Sequence, residues 1–423
     1  MEPTTTFDDQ PTQRAAGQGA QRVIPTPGRV EYVVLLSSLM ATAALGIDMM
    51  LPAFDEMRST FGLAPGSPEI SGALTAYFLG MSTALLFFGP FSDRFGRRSV
   101  IFVGLGIYVA GAIGSALAPS MGVLLISRFI WGVGAAGGRV VVTAVVRDTF
   151  VGDAMAKTMS TLMAVFLLVP IIAPSLGAAI VAFLPWQGIF WLCAALGTGL
   201  ALWAGTRLPE TLPIDQRKPI RISVLKNSAG RVFGEPATLL PMLGITALMG
   251  VFTSYLGSSE LIISEIFGRR DQFPIIFGGT AAVFGAASLL NGRLVDRFGM
   301  RRLFIPAISV YVIGAAILLA QAVGSGGRPS FWAFYPILAV VFGSSMIVNP
   351  NLNAMALAPV GDIAGTASSI VGAVSMAVGT LIGAMIDRQI DDSVTPFATA
   401  VLVSGIVTAV LVVRMLAVDQ PEG

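Results

Sequence analysis

The chain has no histidine, a single cysteine and few charges: Asp, Glu, Lys and Arg together make up 12% of its 423 residues. Each shortage excludes a class of chemistry. Histidine is the side chain whose ordinary titration falls nearest neutral pH. Its absence leaves proton transfer to carboxylates and rules out a histidine-ligated metal site. The one cysteine, Cys193, lies in an apolar run, which allows neither a disulfide framework nor a thiolate metal site. The net charge of +2 offers no basic footprint for nucleic acid. No G-x-x-x-x-G-K-S/T phosphate loop, metal-ligand cluster or nucleophile elbow occurs. Neither an enzyme nor an ATP-driven machine is indicated, and no cofactor, metal or catalytic residue is expected.

What the chain has instead is apolar length. Hydrophobic residues are 54% of the total, gathered in runs of the size that crosses a bilayer, about 20 residues each. Twelve spans are predicted. Six run roughly Tyr32–Leu51, Ile70–Phe91, Val100–Leu117, Val123–Val146, Met155–Phe183 and Gly188–Gly205. Six more run Leu239–Ile263, Phe273–Leu294, Leu303–Val323, Phe331–Leu352, Ala364–Ile386 and Pro396–Leu416. The two-residue alternation of barrel strands is missing, so the spans are helices. Residues 1–30 are polar and lack the apolar core of a signal peptide, which predicts a disordered cytoplasmic tail. Residues 417–423 form a second, short tail.

Basic residues fix the orientation. With the N-terminus inside, 19 Lys and Arg fall on the cytoplasmic side. The outer side holds five: Arg58, Arg269, Arg270, Arg328 and Arg388. Arg128 and Arg139 lie within a span. Both termini are then cytoplasmic. The polar segment 207–236 carries six basic residues and divides the spans six and six. It is read as a cytoplasmic linker between bundles at 31–206 and 237–416.

The two sets also repeat. The second span ends in G-P-F-S-D-R-F-G-R-R, Gly89 to Arg98, and the eighth in G-R-L-V-D-R-F-G-M-R-R, Gly292 to Arg302. Asp93 and Asp296 are 203 residues apart, at the same inter-helix loop of each half. Internal repeats around a midplane site are the architecture of secondary transporters.

These loops resemble the G-x-L-x-D-R-x-G-R-R signature of the major facilitator superfamily. Ile47–Ala53 (I-D-M-M-L-P-A), Arg128–Gly134 (R-F-I-W-G-V-G) and Val169–Gly177 (V-P-I-I-A-P-S-L-G) look like its drug:proton antiporter branch. Val145–Asp148, Trp186–Phe190 (W-Q-G-I-F), Leu208–Leu212 (L-P-E-T-L) and Ala364–Ser369 (A-G-T-A-S-S) resemble the bicyclomycin/chloramphenicol-resistance type of multidrug exporter. The likeness runs from the first span to the twelfth. It departs at Ala173, Ala178 and Trp131, where related exporters often carry Gly, Gly and Gln. The resemblance implies an all-α integral membrane protein of twelve helices in two pseudo-symmetric six-helix bundles. It implies a monomer in the bacterial inner membrane, exporting small lipophilic compounds, drugs among them, in exchange for protons by alternating access. The alternative is proton-coupled uptake of a specific small metabolite.

Individual residues carry this expectation. Asp48 is the one carboxylate deep within a first-half span, and an ionised carboxylate there costs several kcal/mol, which marks it as functional. It is read as the proton carrier, the other reading being a charge at the wet outer end of its span. Arg128, at similar depth, stays charged when buried and would tune Asp48. Arg139, 11 residues on, points the same way and lies about 16 Å deeper. It is expected either to touch substrate or a carboxylate, or to clamp helices. Tyr77, Phe78, Phe166, Phe252, Tyr255 and Asn349 are candidates for an adaptable cavity wall. Pro170, Pro174 and Gly177 are expected to interrupt and bend the fifth span. By resemblance, Asp93 and Asp296 would sit at the starts of helices of the opposite half. With Arg94, Arg97, Arg98, Arg147 and Arg297 they would latch the cytoplasmic face, Arg147 pairing with Asp93, and Gly89 and Gly96 would allow the tight turn. Glu260 is taken as an outer-rim charge rather than a second proton site.

Overall fold

The computed structural model describes residues 28–418. The expected tail over 1–30 therefore lies almost wholly outside the described residues, as do residues 419–423. No strand occurs among the described residues. The first half comprises α1 (Arg29–Asp48), a short α2 (Phe54–Thr60), α3 (Gly72–Phe95), α4 (Arg97–Ala116), α5 (Met121–Thr149), α6 (Gly152–Val181) and α7 (Gln187–Arg207). After α8 (Ile222–Gly234), the second comprises α9 (Pro236–Glu260), α10 (Phe273–Phe298), α11 (Met300–Gly324), α12 (Phe331–Leu357), α13 (Ala364–Asp387) and α14 (Thr395–Val418). Without α2 and α8, twelve long helices remain among the described residues, one for each predicted span.

Length and composition explain why these helices form. Inside a bilayer every backbone N–H and C=O must be satisfied within the segment, and helices of 20 to 30 residues do so over the full thickness. One apolar stretch, Phe331–Asp387, is 57 residues long. That is nearly three bilayer thicknesses at about 1.5 Å per residue, so it must turn back. It does so at a 3-10 turn, Ala358–Ile363, where Pro359 enters the turn and Val360 (φ −117°, ψ 33°) leaves helical geometry.

The repeat seen in sequence is also a repeat of conformation. Gly96 (φ 96°) ends α3 and opens α4, while Gly299 (φ 78°), 203 residues later, ends α10 and opens α11. A side chain at such φ is strained, so glycine fits both corners. Gly89, expected in the same turn, is instead an ordinary residue inside α3. Contacts between halves repeat as well: α3 lies along α13 and α6 along α10.

The segment 207–236 contains α8, which packs one face, with Ser228 and Val232 buried, on α13 and α9. One expectation needs correction: α6 is not interrupted. It runs unbroken through Pro170 and Pro174, which remove only the N–H donors to the carbonyls of Phe166 and Pro170.

Within the first half α5 is central, and glycine lets its neighbours come close. A Cβ at Gly132 would overlap the Tyr77 carbonyl of α3, and one at Gly134 the backbone of Tyr108 in α4. Gly134→Ala is therefore expected to cost about 1–3 kcal/mol through overpacking. Gly199→Ala, which meets nothing within 4 Å, is expected to be neutral. Thermal unfolding of the purified variants in detergent checks this; equal midpoints would contradict it.

Candidate functional site

A cavity of about 370 Å³ lies between the two halves, walled by α1, α3, α5 and α6 on one side and α9, α10, α12 and α13 on the other. Its lining is mostly apolar, with six aromatics, Phe78, Phe166, Phe252, Tyr255, Phe277 and Phe284, and four methionines, Met81, Met249, Met346 and Met376. Polar groups are few. Asn349 and Asn353 stand one turn apart on α12, with Ser345 and Ser375 nearby. Among the described residues, the charged ones in the wall are Asp48 and Arg139. A larger hollow of about 690 Å³ opens between α9, α13 and α14, but it lies in one half and holds no charged side chain.

Asp48 is the last residue of α1, placed where helix gives way to the turn before Pro52. It is buried, 3% exposed, yet borders the cavity. Among the described residues its carboxylate makes no hydrogen bond or ion pair. It also stands at the negative end of a helix dipole, which disfavours its charge. Arg139 is exposed to the cavity, its guanidinium 5.7 Å from the centre of the Phe166 ring. No carboxylate among the described residues lies within ion-pair distance of it.

Arg128 behaves otherwise. It is fully buried in the first half and does not line the cavity. Its guanidinium donates to the carbonyls of Gly46 (2.8 Å) and Ala73 (3.3 Å) and sits 4.5 Å from the Tyr77 ring centre and 4.8 Å from that of Trp131. Its described contacts do not include Asp48, the carboxylate it was expected to tune. Arg128 instead clamps the last turn of α1, two residues before Asp48. Tyr77 is likewise not a wall residue: it is fully buried and its hydroxyl donates to the Ala43 carbonyl at 3.0 Å. Position along the sequence does not tell which side of a helix these two residues face.

Of the other cavity candidates, Phe78, Phe166, Phe252, Tyr255 and Asn349 all line it, as does Pro170. Tyr255 stacks on Phe277, ring centres 5.8 Å apart, and its hydroxyl lies 3.2 Å from that of Tyr335. Pro174 and Gly177 are buried, with α6 so close to the segment after α1 that a Cβ at Gly177 would overlap the Met49 carbonyl.

Of the two repeat acids, Asp93 at the end of α3 joins a network within the first half. Asp93 pairs with Arg97 (2.5 Å), not with Arg147, and Arg97 also reaches Asp148 (2.9 Å) and the Ser92 hydroxyl (2.7 Å). Glu210, absent from the expected site, accepts the backbone N–H of Arg97 (2.9 Å) and Arg98 (3.3 Å), capping α4 with negative charge. The Arg98 guanidinium holds the Gly205 carbonyl at 2.6 Å. Arg94 and Arg147 are exposed, as are Asp296 and Arg297 on α10. The described contacts of Asp93 do not include the start of α13.

The opposite face is closed. Arg58 of α2, 2% exposed, meets Glu260 of α9 at 2.7 Å. Its Nε also donates to the Ser67 carbonyl at 3.0 Å. Glu260 is therefore no rim charge but half of a buried ion pair between the two halves. Arg270 of the second half pairs with Asp55 of the first beside it. Both ion pairs between the halves, among the described residues, lie on this face.

The model of the Major Facilitator Superfamily matches residues 36–384. The chain belongs to the major facilitator superfamily. It is thus a multi-pass membrane transporter by family, and several of its curated relatives are named for resistance. It is 28% identical to a bicyclomycin resistance protein homolog of Haemophilus influenzae, over 82% of this chain and 86% of that one. It is 30% identical to the multidrug resistance protein MdtL of Escherichia coli, over 81% and 84%. Solved structures share the fold at low identity. A POT family transporter in complex with a thioalcohol-conjugated peptide has TM-score 0.75 at 14% identity, over 95% of this chain and all of that one. A D-xylose-proton symporter has TM-score 0.71 at 13% identity, over 89% and 97%.

The buried pair gives a direct test. Glu260→Ala strands the Arg58 charge and is expected to cost roughly 3–5 kcal/mol, whereas Arg58→Met combined with Glu260→Leu is expected to cost far less. Thermal unfolding of this facilitator's three forms decides it; a single variant as stable as the wild type would contradict the pairing.

Proposed function

We propose that this transporter exports small, mostly lipophilic compounds in exchange for protons, by alternating access. The observation that carries the reading is the cavity itself: an apolar, aromatic chamber between two repeats, with one carboxylate, Asp48, in its wall. Its volume falls at the lower end of small-molecule sites. Thioether and aromatic side chains adapt to varied apolar shapes. Arg139 adds a fixed positive charge that favours substrates with a carbonyl, nitro or anionic group. The relatives named for bicyclomycin and multidrug resistance support efflux rather than uptake.

The cycle follows from electrostatics. A lone carboxylate on an apolar wall is costly when ionised, so it takes a proton or interacts with a polar substrate, and favours one at a time. The proton reaches Asp48 when the cavity faces outward and leaves when it faces inward, while substrate moves the other way. In the structure the face that bears Arg58, outer by the distribution of basic residues, is shut by two ion pairs. We read this as the inward-facing arrangement of a monomer in the bacterial inner membrane, with both termini cytoplasmic and with bundles at 31–206 and 237–416. The Asp93 and Asp296 loops would meet the opposite half only when the cavity faces outward.

Inverted vesicles loaded with a pH-sensitive dye test the exchange. Adding a transported compound is expected to release protons from the lumen, and Asp48→Asn is expected to abolish that release. Release unchanged in Asp48→Asn would contradict the proposed carrier. Release unchanged in Arg139→Ala would remove that residue from substrate contact.

A further inference from the structure

A second carboxylate lies where the halves meet. Asp387, the last residue of α13, is 4% exposed. Ser254 of α9 donates to it at 2.7 Å, and Ser254 is fully buried. It lines a small polar pocket with Thr253, Gly257 and Thr380 of its own half and Ser71 and Thr75 of the other. Gly257 is the only residue that fits beside it, because a Cβ there would overlap the carboxylate. No cation among the described residues lies within ion-pair distance. The charged groups of the surrounding elements are otherwise engaged or exposed. Glu260 on α9 holds Arg58 of α2, Asp55 and Glu265 hold Arg270, and Glu69 and Arg388 are exposed.

We propose that Asp387 is a second proton-binding site of the transporter, loaded from the face that bears Arg58 and closed over when the two halves meet there. Three features of the site converge on this. Among the described residues its one hydrogen-bond partner is the Ser254 hydroxyl, and the hydroxyl-bearing Ser71 and Thr75 line the same pocket; hydroxyls serve a protonated carboxyl as well as a carboxylate. An ionised carboxylate here would be desolvated without a counter-charge, which disfavours the charged form. It would also face the negative end of α13. Parting the halves readmits water through Ser71 and Thr75 and removes that cost. Closure of this face is therefore linked to uptake of one proton: acid favours closed, alkali favours open. Asp48, in the main cavity, is not needed for the linkage, although the idea rests on the alternating-access reading.

Spin labels on Ser59→Cys and Gln389→Cys, both exposed on this face, report the separation of the halves in nanodiscs; the native Cys193 is fully buried. In the wild type the long-distance population is expected to grow with pH, the open-to-closed ratio changing by at most about tenfold per pH unit for one linked proton. Asp387→Asn and Asp387→Ser are both expected to keep the short distance at every pH, while Glu69→Gln, at an exposed carboxylate outside the seal, is expected to retain the pH response. A response that persists in both neutral variants overturns the proposal. So does a wild-type distance that answers to substrate but not to pH, which would leave alternating access standing.

Discussion

The structure depends on one constraint: a charge held away from water must be given something in its place. The chain has few charges, and each one inside the protein is provided for differently. Arg58 and Glu260 are given each other. Arg128 is given two carbonyl oxygens and the faces of Tyr77 and Trp131, a treatment that suits a planar, permanently charged guanidinium. Asp387 is given hydroxyls. Asp48 and Arg139 are given only the cavity. Groups left to the cavity must respond to what enters it, which makes these two the natural place for proton and substrate to compete.

The same constraint explains why the halves can move as units. Arg128 holds α5 to α1 and α3, and the Arg97–Asp93–Asp148 network with Glu210 ties the α3–α4 corner to α5 and to the segment after α7. These bonds lie within one half. Between the halves, the closed face is held by two ion pairs and by the close contact of Gly257 in α9 with Ser71. A buried pair contributes little net stability, because desolvation offsets much of its attraction. Such a seal is specific in register but weak enough to open.

Much of this was legible in the sequence because it depends on local composition and period. Twelve spans, two repeats and the corner glycines follow from apolar run length and from D-R-F-G recurring 203 residues apart. Asp48, Arg139, Phe166 and Asn349 were recognisable as cavity residues because polar or aromatic groups stand out within apolar runs. Which way a side chain turns was not legible. Tyr77 and Phe78 are adjacent, yet one packs inside the half and the other faces the cavity. Partners across the halves were also hidden, since Arg58 and Glu260 are 202 residues apart with no motif linking them. Asp387 was passed over because Arg388, Asp391 and Asp392 follow it and make it read as part of a polar loop. The fold, not the local sequence, turns it inward.

The central claim is that a carboxylate left to the cavity couples protons to substrate. Reconstitution in proteoliposomes tests it most directly by comparing two modes in Asp48→Asn. One is exchange of labelled for unlabelled substrate at equal pH; the other is accumulation driven by an imposed pH gradient. The account predicts that exchange survives while gradient-driven accumulation is lost, because binding and alternation remain when the proton no longer has a site. Gradient-driven accumulation equal to that of the wild type would contradict it.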